Sequence, residues 1–527
     1  MPPQLHCLAP AGHLFRDQLG GASVAACSLP TDSCSRAARP FPLGIRPTEA
    51  RTEGSRGVGR RKALKALGLS ALALGSGIGP RAAALPKADV LVLGAGVAGL
   101  AAARRIAASG ARPLVLEARG RPGGRTYTRF DLPDRAEFGA VEIGDSYTRT
   151  HALAQACGLR IAPLAGGRST GLTLHVNGQT LASDDWPNSS ANPLAGTERQ
   201  VLPSRLEAHY LASDIPLTQA AAWDLPTMRP HDRSIATELR ARGASEEALK
   251  LVNVTGNHNH SDAVSVLPWW RSALLFRQAT GVGTFVRGCA SLAKCLAAQL
   301  GETVRYGSVV TRIATDRGQL KVTLADGTEF RARRCICTLP LPALRNVRLE
   351  LPLDATQRRV IAQADYTQAT VAMFDADPFW KEDGLAPAMW TDSPLERLFP
   401  RRHPETGECI GFKAFVNGAG AKALDDLDEA AFAKLALATV ARIRPSSNGR
   451  VRYLARHSWG ADPFAGGAYA AWPPGQVAEW RAAVRRPAGP VRFAGEHTAN
   501  APGVEGAIRS GEEAAATVLD SLREAAS

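Results

Sequence analysis

The chain has 527 residues, of which 45% are hydrophobic, and its 63 Lys and Arg residues outnumber its 49 Asp and Glu residues. This apolar content excludes a mainly disordered chain, and the absence of long uninterrupted apolar runs argues against a polytopic membrane protein. Residues 1–84 hold 11 Lys and Arg against 4 Asp and Glu, which is half of the basic excess. The rest is dispersed without a basic helix that carries interleaved aromatics, so we expect no nucleic-acid binding.

The first 84 residues are predicted to be processing sequence. The GRRK run at 59–62, followed by a modestly apolar stretch at 66–79, resembles a twin-arginine export signal. The run AAA at 82–84 resembles a signal-peptidase site. We therefore expect residues 59–84 to be a signal peptide, cleaved near Ala84 after recognition by the twin-arginine export machinery. The mature protein would be periplasmic or secreted. The alternative is a chance basic and Ala-rich segment.

Residues 1–58 show no pattern typical of a fold. No Met occurs between Met1 and Met228, and Val58 lies just before the Arg pair. We expect translation to begin at or near Val58, which makes 1–58 a non-native or unstructured extension. Peptides from residues 2–57 in a native cell extract would contradict this expectation.

A dinucleotide-binding unit opens the body of the chain. The apolar, β-branched run at 88–93 predicts a buried parallel strand, and an Ala-rich helix is expected to follow it and end at 109–110. A second strand at 113–117 ends in Glu117, at the spacing where a carboxylate accepts ribose hydroxyls. Three glycines between strand and helix permit a tight turn, backbone approach to a pyrophosphate, and close helix packing: Gly94, Gly96 and Gly99.

The segment RPGGRT at 121–126 follows Glu117 within a few residues. It resembles the second glycine motif of the flavin-containing amine oxidase superfamily, which includes monoamine oxidases, polyamine oxidases and L-amino-acid oxidases. In that family the Arg contacts the FAD phosphates; the alternative is a solvated basic turn. Segments 304–313, 491–498 and 503–507 match further family motifs in order. The last two resemble the C-terminal FAD motif, in which a helix N-terminus faces the flavin.

The resemblance spans about residues 86–522 and implies a two-domain α/β fold. A Rossmann-type FAD-binding domain is expected from 86–160, 284–340 and 455–525, and an α+β substrate domain from 161–283 and 341–454. Amphipathic patterns predict helices over 232–257 and 424–443, and clusters of Gly, Ser, Asn and Pro predict a loop over 168–196. The residues that the resemblance assigns to FAD are Gly94, Gly96, Val97, Ala98, Gly99, Glu117, Ala118, Arg119, Gly124, Arg125, Gly139, Ala140, Val141, Val310, Trp459, Gly495, Glu496, Val504 and Glu505.

Six of the nine cysteines lie outside the leader, and none forms a Cys-x-x-Cys pair. We predict ordinary buried thiols rather than a disulfide framework or a zinc site. Cys335 and Cys337 are two apart in a β-like run, so they are expected to share one face of a strand. The run HNH at 258–260 lacks partner ligands at suitable spacing, so a metal site is not expected there.

The substrate side departs from the family pattern. Glu142 matches a position that is Arg in L-amino-acid oxidases, where it clamps the substrate carboxylate, and Tyr in monoamine oxidases. A carboxylate repels a carboxylate and attracts an ammonium, which favours an amine substrate; the alternative is a structural Glu paired with an Arg.

Tyr469 matches the first tyrosine of the aromatic cage beside the substrate nitrogen, whereas residues 503–505 lack the second. Ala468 stands where monoamine oxidases have the flavin-linking Cys, so FAD is expected to be non-covalent.

The family's flavin-facing Lys, which holds a water near flavin N5, has no counterpart. Depending on a one-residue gap, its position is taken by Arg345 or Asn346. That Lys is associated in the family with oxygen reactivity and imine hydrolysis. A guanidinium orients a water but does not deprotonate at ordinary pH. The electron acceptor therefore stays open between O2, which yields H2O2, and a periplasmic carrier.

The pattern as a whole predicts an exported FAD-dependent amine oxidase or dehydrogenase. Hydride would pass from the carbon that bears nitrogen to flavin N5, and the imine would be hydrolysed. We assign the substrate side to Tyr469, Glu142 and either Arg345 or Asn346. The alternatives are an L-amino-acid oxidase, a flavin desaturase acting on a lipid-like substrate, and a non-catalytic FAD-binding protein.

Overall fold

The computed structural model describes residues 88–164, 171–279, 281–316, 319–403 and 406–525. The predicted extension at 1–58 and signal peptide at 59–84 lie outside these residues. Among the helices of the described ranges, none is long and apolar enough to cross a bilayer.

The described residues form both helices and strands. The helices are α1 Val97–Ala108, α2 Thr148–Ala156, α3 Leu206–Leu211, α4 Ile235–Ala241, α5 Glu246–Thr255, α6 Leu267–Gln278, α7 Ala290–Leu300, α8 Leu341–Leu344, α9 Ala355–Gln363, α10 Trp380–Asp383, α11 Gly418–Leu424, α12 Glu429–Ile443, α13 Val477–Arg485 and α14 Gly503–Glu524. The strands are β1 Val90–Leu93, β2 Pro113–Leu116, β3 Thr128–Arg129, β4 Ala136–Glu137, β5 Ile143–Gly144, β6 Ile161–Pro163, β7 Thr173–Val176, β8 Gln179–Ala182, β9 Val282–Phe285, β10 Val304–Arg305, β11 Val310–Asp316, β12 Gln319–Leu324, β13 Glu329–Ala332, β14 Arg334–Cys337, β15 Arg348–Glu350, β16 Asp365–Tyr366, β17 Ala369–Ala376, β18 Met389–Thr391, β19 Arg397–Arg402, β20 Cys409–Asn417, β21 Val451–Ser458, β22 Ala470–Ala471 and β23 Val491–Phe493.

A five-stranded parallel sheet has the order β10-β2-β1-β14-β23. Its central strand β1 is wholly buried, as expected for a parallel strand covered on both faces. Helix α1 crosses over from β1 to β2 and packs against α14, near the other end of the chain. The sheet therefore gathers strands from three separate parts of the sequence, and the expected α/β fold class is confirmed.

A seven-stranded mixed sheet, ordered β21-β17-β20-β19-β18-β7-β8, forms a second layer. Strand β21 pairs with β17 and runs across the boundary expected at 454/455. The loop predicted over 168–196 is partly wrong, because β7 and β8 form a hairpin within it. The helix predicted over 232–257 is divided into α4 and α5, each with a serine N-cap whose hydroxyl accepts a backbone N–H. The second predicted amphipathic helix begins later than expected, because Asp428 caps α12.

The prediction that the body cysteines are all thiols is wrong for one pair. Cys157, which ends α2, forms a disulfide with Cys295 of α7, 138 residues away in sequence. Sequence spacing carries no information about such a distant pair, since the pairing depends on how the two helices meet. Cys335 and Cys337 are free, buried and part of the same core cluster on one face of β14, as expected.

Candidate active site

A cavity of about 1740 Å³ lies where the parallel sheet meets the seven-stranded sheet. Its wall includes the loops that follow the carboxyl ends of β1, β2, β14 and β23, the part of a parallel sheet where ligands bind. Its wall also includes residues of α6, β17, β19 and β20. This volume exceeds the usual range of about 300–1,000 Å³ for a single small-molecule site, so it has room for a cofactor and a substrate together.

The three glycines of the first motif have different surroundings. Gly94 has a φ of +100°, which L side chains rarely adopt, and a Cβ on Gly99 would lie 2.0 Å from the Gly94 carbonyl oxygen. A Cβ on Gly96, by contrast, would meet nothing within 4 Å, and Gly96 lines the cavity. Helix α1 begins just after Gly96 without a side-chain cap, so its N–H groups and positive dipole end are available to a phosphate. Gly99 does not line the cavity. Its missing side chain allows α1 to pack closely against the turn at Gly94.

Glu117 is 4% exposed and lies at the end of β2. Its carboxylate accepts the Ala95 N–H at 2.7 Å and the Arg119 N–H at 2.9 Å. A carboxylate has about four acceptor positions, so two remain for ribose hydroxyls. The Arg119 guanidinium is held by Asp462 at 2.6 Å. This arrangement fits the sugar and phosphate end of a dinucleotide.

Arg125 connects distant motifs. Its guanidinium donates to the Ala468 carbonyl at 2.9 Å and to the Glu496 carboxylate at 3.2 Å. Trp459 is buried beside them, and its indole N–H donates to the Phe138 carbonyl at 2.8 Å. The segment that begins at Phe138 lines the cavity next to the glycine loops.

The N-terminus of α14 also faces the cavity, and its N-cap, Pro502, provides no side-chain cap. Val504 lines the wall. The carboxylate of Glu505, however, accepts the Thr150 N–H at 2.9 Å and the Thr150 hydroxyl at 2.8 Å. Glu505 therefore caps α2, and its side chain joins two helices rather than reaching a cofactor.

Eighteen of the nineteen residues assigned to FAD line this one cavity, and Gly99 is the exception. Uncapped helix N-termini, the open space over Gly96 and the Glu117 carboxylate fit FAD. The members not yet described are Val97, Ala98, Ala118, Gly124, Gly139, Ala140, Val141, Val310 and Gly495.

Tyr469 lies in the same wall, and its hydroxyl donates to the Asn257 carbonyl at 2.9 Å. Burial raises the pKa of this hydroxyl, so the phenol stays neutral. The Ala468 side chain has no thiol that could bond covalently to a flavin. Tyr469 is therefore fixed in orientation next to a non-covalent cofactor site.

Glu142 lines the cavity and lies within electrostatic range of Lys413, a residue that the sequence analysis missed. Burial lowers the pKa of the Lys413 ammonium, and the carboxylates of Glu142 and Glu137 act against that shift. Strand β20 alternates: Phe412 and Ala414 enter the core, whereas Lys413 lines the cavity. The alternation could be seen in the sequence, but the sequence did not show which face of the strand lies towards the cavity.

The two candidates for the position of the missing flavin-facing Lys have different surroundings. Arg345 is exposed and does not line the cavity; its guanidinium donates to the Ile361 carbonyl at 2.9 Å and to the Ala364 carbonyl, at the end of α9. The assignment of Arg345 to the substrate side is thus corrected. Asn346 lines the cavity and remains the candidate. Within the described ranges, no group of three His, Cys, Asp or Glu side chains could hold a metal ion.

The geometry fits a flavoprotein in which one cavity holds both a cofactor cradle and the wall that carries Tyr469 and Glu142. A family model described as flavin containing amine oxidoreductase matches residues 97–519. The chain therefore belongs to the flavin-containing amine oxidoreductase family, and it is an FAD-dependent amine oxidoreductase.

Curated relatives cover most of the chain. A putative flavin-containing monoamine oxidase, AofH, of Mycobacterium tuberculosis is 27% identical over 463 residues, covering 82% of this chain and 96% of the relative. Flavin-containing amine oxidase A of Bos taurus is 26% identical over 458 residues, covering 82% and 85%.

Solved structures share the fold. A putrescine oxidase variant has a TM-score of 0.67 at 23% identity, covering 82% of this chain and 100% of its own. Cyclohexylamine oxidase from Brevibacterium oxydans has a TM-score of 0.67 at 24% identity, covering 83% and 100%.

Proposed function

We propose that this chain is an exported oxidase of a primary or secondary amine, with non-covalent FAD and O2 as electron acceptor. The observation that carries the proposal is that the FAD cradle, Tyr469 and the carboxylates of Glu142 and Glu207 line one continuous cavity. The relatives support this proposal, because they are named as amine oxidases. The alternatives are oxidation of an L-amino acid, desaturation of a lipid-like substrate, and FAD binding without catalysis.

Bound FAD supplies the acceptor for the hydride that leaves the carbon next to the amine nitrogen. The residues of the chain orient the reactants and exclude water. Tyr469 presents its ring to the pocket, because its hydroxyl is held by the Asn257 carbonyl. The uncapped N-terminus of α14 offers a positive dipole end, which stabilises negative charge that develops nearby.

The substrate is an amine rather than an amino acid in this proposal. Glu142 would attract an ammonium, but Lys413 lies near enough to compensate part of its charge. Arg149 and Arg271 also line the cavity, so electrostatics near the mouth does not by itself exclude a carboxylate. The preference therefore depends on which carboxylate meets the reacting nitrogen.

Reoxidation by O2 would release H2O2. Asn346 lines the cavity and is our candidate for the position of the family's flavin-facing Lys, and an amide orients a water through hydrogen bonds without holding a charge. If the reduced flavin is reoxidised more slowly by O2 than by an artificial acceptor, the result would favour a dehydrogenase that uses a periplasmic carrier.

Export has support independent of the leader. The Cys157–Cys295 disulfide is typical of proteins in oxidising compartments and rare in the cytosol. We propose that the twin-arginine machinery exports the chain with FAD already bound, that cleavage near Ala84 follows, and that the disulfide closes after export. Replacing both Arg60 and Arg61 by Lys should retain the protein in the cytoplasm in a fractionation assay. Unchanged periplasmic delivery would contradict the proposal.

The central test is anaerobic reduction of the flavin. The purified holoenzyme, residues 85–527, is mixed under nitrogen with mono-, di- and polyamines and with L-amino acids, and the oxidised-flavin absorbance is followed. Rapid bleaching by one class of amine, followed by recovery and H2O2 release on admission of O2, is the expected result. Bleaching by amino acids alone favours the L-amino-acid oxidase, and no bleaching favours the desaturase or binding protein.

A further inference from the structure

A second carboxylate lies in the cavity wall close to Tyr469. Glu207 of α3 lines the cavity, and its Oε1 accepts a hydrogen bond from Nε2 of His258 at 2.8 Å. His258 follows Asn257, whose carbonyl accepts the Tyr469 hydroxyl. The two groups therefore meet on the same stretch of wall, although α3 and Tyr469 are more than 250 residues apart.

This pair has unused hydrogen-bonding capacity. The side chain of Glu207 is 13% exposed, and its second oxygen makes no hydrogen bond within the described ranges. His258 is 7% exposed, and its Nδ1 is buried without a partner in the same ranges. Because Nε2–H donates to the carboxylate, Nδ1 is left as an acceptor. Buried polar atoms without partners are uncommon. Nδ1 is closed off from the cavity, so the partly exposed Glu207 carboxylate is the group of this pair that a ligand can reach.

The local backbone makes room for the imidazole. Gly256 ends α5, and a Cβ there would lie 2.4 Å from both Cε1 and Nε2 of His258. Any side chain at 256 would push the ring away from Glu207. The position of the His258 imidazole against the Glu207 carboxylate thus depends on the glycine two residues before it.

Glu207, like Glu142, has one buried cation within electrostatic range. Glu142 lies within range of the Lys413 ammonium. The groups near Glu207 are His258, the Tyr469 phenol and the Arg397 guanidinium. Arg397 donates its hydrogen bonds to the Asn257 side chain at 2.8 Å and to the Asn417 side chain. Its charge compensates part of the Glu207 charge, but it does not occupy the second oxygen of the carboxylate. Glu207 therefore keeps an acceptor oxygen for a cation in the cavity.

We propose that Glu207, positioned by His258, binds the ammonium form of the substrate amine beside Tyr469. An ammonium has three N–H donors and forms charge-assisted hydrogen bonds with a carboxylate. The inference rests on the proposed amine-oxidising function and specifies its substrate-binding group. Glu207 is a binding residue and His258 a positioning residue. The bound ammonium passes one proton to the Glu207 carboxylate before hydride leaves the neighbouring carbon, which frees the nitrogen lone pair to form the C=N bond.

The test uses a ligand that cannot be oxidised. Cumylamine has no hydrogen on the carbon bearing nitrogen, and 2-phenylpropan-2-ol is its neutral analogue. Binding of each to the FAD-loaded enzyme is measured at pH 7.5 by flavin difference absorbance and by calorimetry. The variants are Glu207→Gln, Glu207→Asp and His258→Gln, with His260→Gln as a matched control because His260 is exposed and outside the cavity wall.

We expect the wild type to bind the amine at least about tenfold more tightly than the alcohol. Glu207→Gln should abolish this preference without changing the affinity for the alcohol, and Glu207→Asp should retain part of it. His258→Gln should reduce it, whereas His260→Gln should leave it unchanged. A merely structural lesion would weaken both ligands alike. Equal weakening in Glu207→Gln, or an unchanged preference, would overturn the proposal.

The two proposals fail in different ways. If no amine bleaches the wild-type flavin, amine oxidation is wrong, while the preference for cumylamine still decides whether Glu207 binds ammonium groups. If amines bleach the flavin and Glu207→Gln keeps the preference, only the inference about Glu207 is wrong.

Discussion

Arg125 and Glu496 are separated by 371 residues in sequence, and their side chains meet at 3.2 Å in the cavity wall. The same guanidinium donates to the carbonyl of Ala468, the residue before Tyr469. One side chain thereby ties the second glycine motif to the C-terminal motif and to the substrate pocket. Because both partners are about four-fifths buried, losing either leaves a charge with poor solvation.

Replacing Arg125 by Met should weaken FAD binding by at least about tenfold, since it removes a cation from the cofactor wall and leaves Glu496 uncompensated. Arg125→Lys should have a smaller effect, because it keeps the charge but loses the forked geometry. FAD affinity is measured by fluorescence of the released flavin. Arg104→Met, on the exposed face of α1, is the control. Equal affinities in Arg125→Met and the control would contradict the assignment.

The two glycines on either side of the α1 N-terminus should respond differently to Ala. Gly99→Ala places a Cβ 2.0 Å from a backbone oxygen, so the apoprotein should lose about 1–3 kcal/mol of stability. Gly96→Ala has open space, so the apoprotein should keep its Tm while FAD affinity falls. Thermal unfolding with and without FAD measures both effects. A lowered apoprotein Tm in Gly96→Ala would show that Gly96 serves packing.

The disulfide should stabilise the folded chain. Cys157→Ser with Cys295→Ser should lower the free energy of unfolding by about 2–4 kcal/mol, because the link closes a long loop in the unfolded state. Denaturant unfolding of the oxidised protein measures this, with the half-buried free Cys409→Ser as control. Alkylation of the unreduced, denatured protein should modify four of its six body cysteines. Modification of all six would exclude the disulfide.

Because of Glu137, the free energy of unfolding should decrease as the pH rises. Burial raises the pKa of its carboxyl from 4.5 to about 7, while hydrogen bonds from Cys289 and Thr128 oppose the rise. Between about pH 4.5 and 7 the folded state therefore binds more protons than the unfolded state, so its stability decreases as pH rises through this window and then levels off. The whole effect is on the order of 3 kcal/mol.

Glu137→Gln should remove this slope, since a neutral amide does not titrate. Urea unfolding of the apoprotein at pH 5, 6, 7 and 8 compares the two proteins. Glu246→Gln, which replaces an exposed carboxylate, is the control and should retain the wild-type slope. Parallel pH profiles for wild type and Glu137→Gln would show that the Glu137 carboxyl does not have a raised pKa.

The sequence by itself determined the cofactor side of this protein. Local sequence was sufficient to predict it, because Gly94, Gly96 and Glu117 occupy one strand–turn–helix–strand unit. Short-range spacing decides how such a unit binds a phosphate. The substrate side was decided by the tertiary structure. Lys413 of β20 and Glu207 of α3 are far apart in the chain, and only the tertiary packing places both in one cavity wall. The Cys157–Cys295 disulfide likewise depends on how α2 and α7 meet.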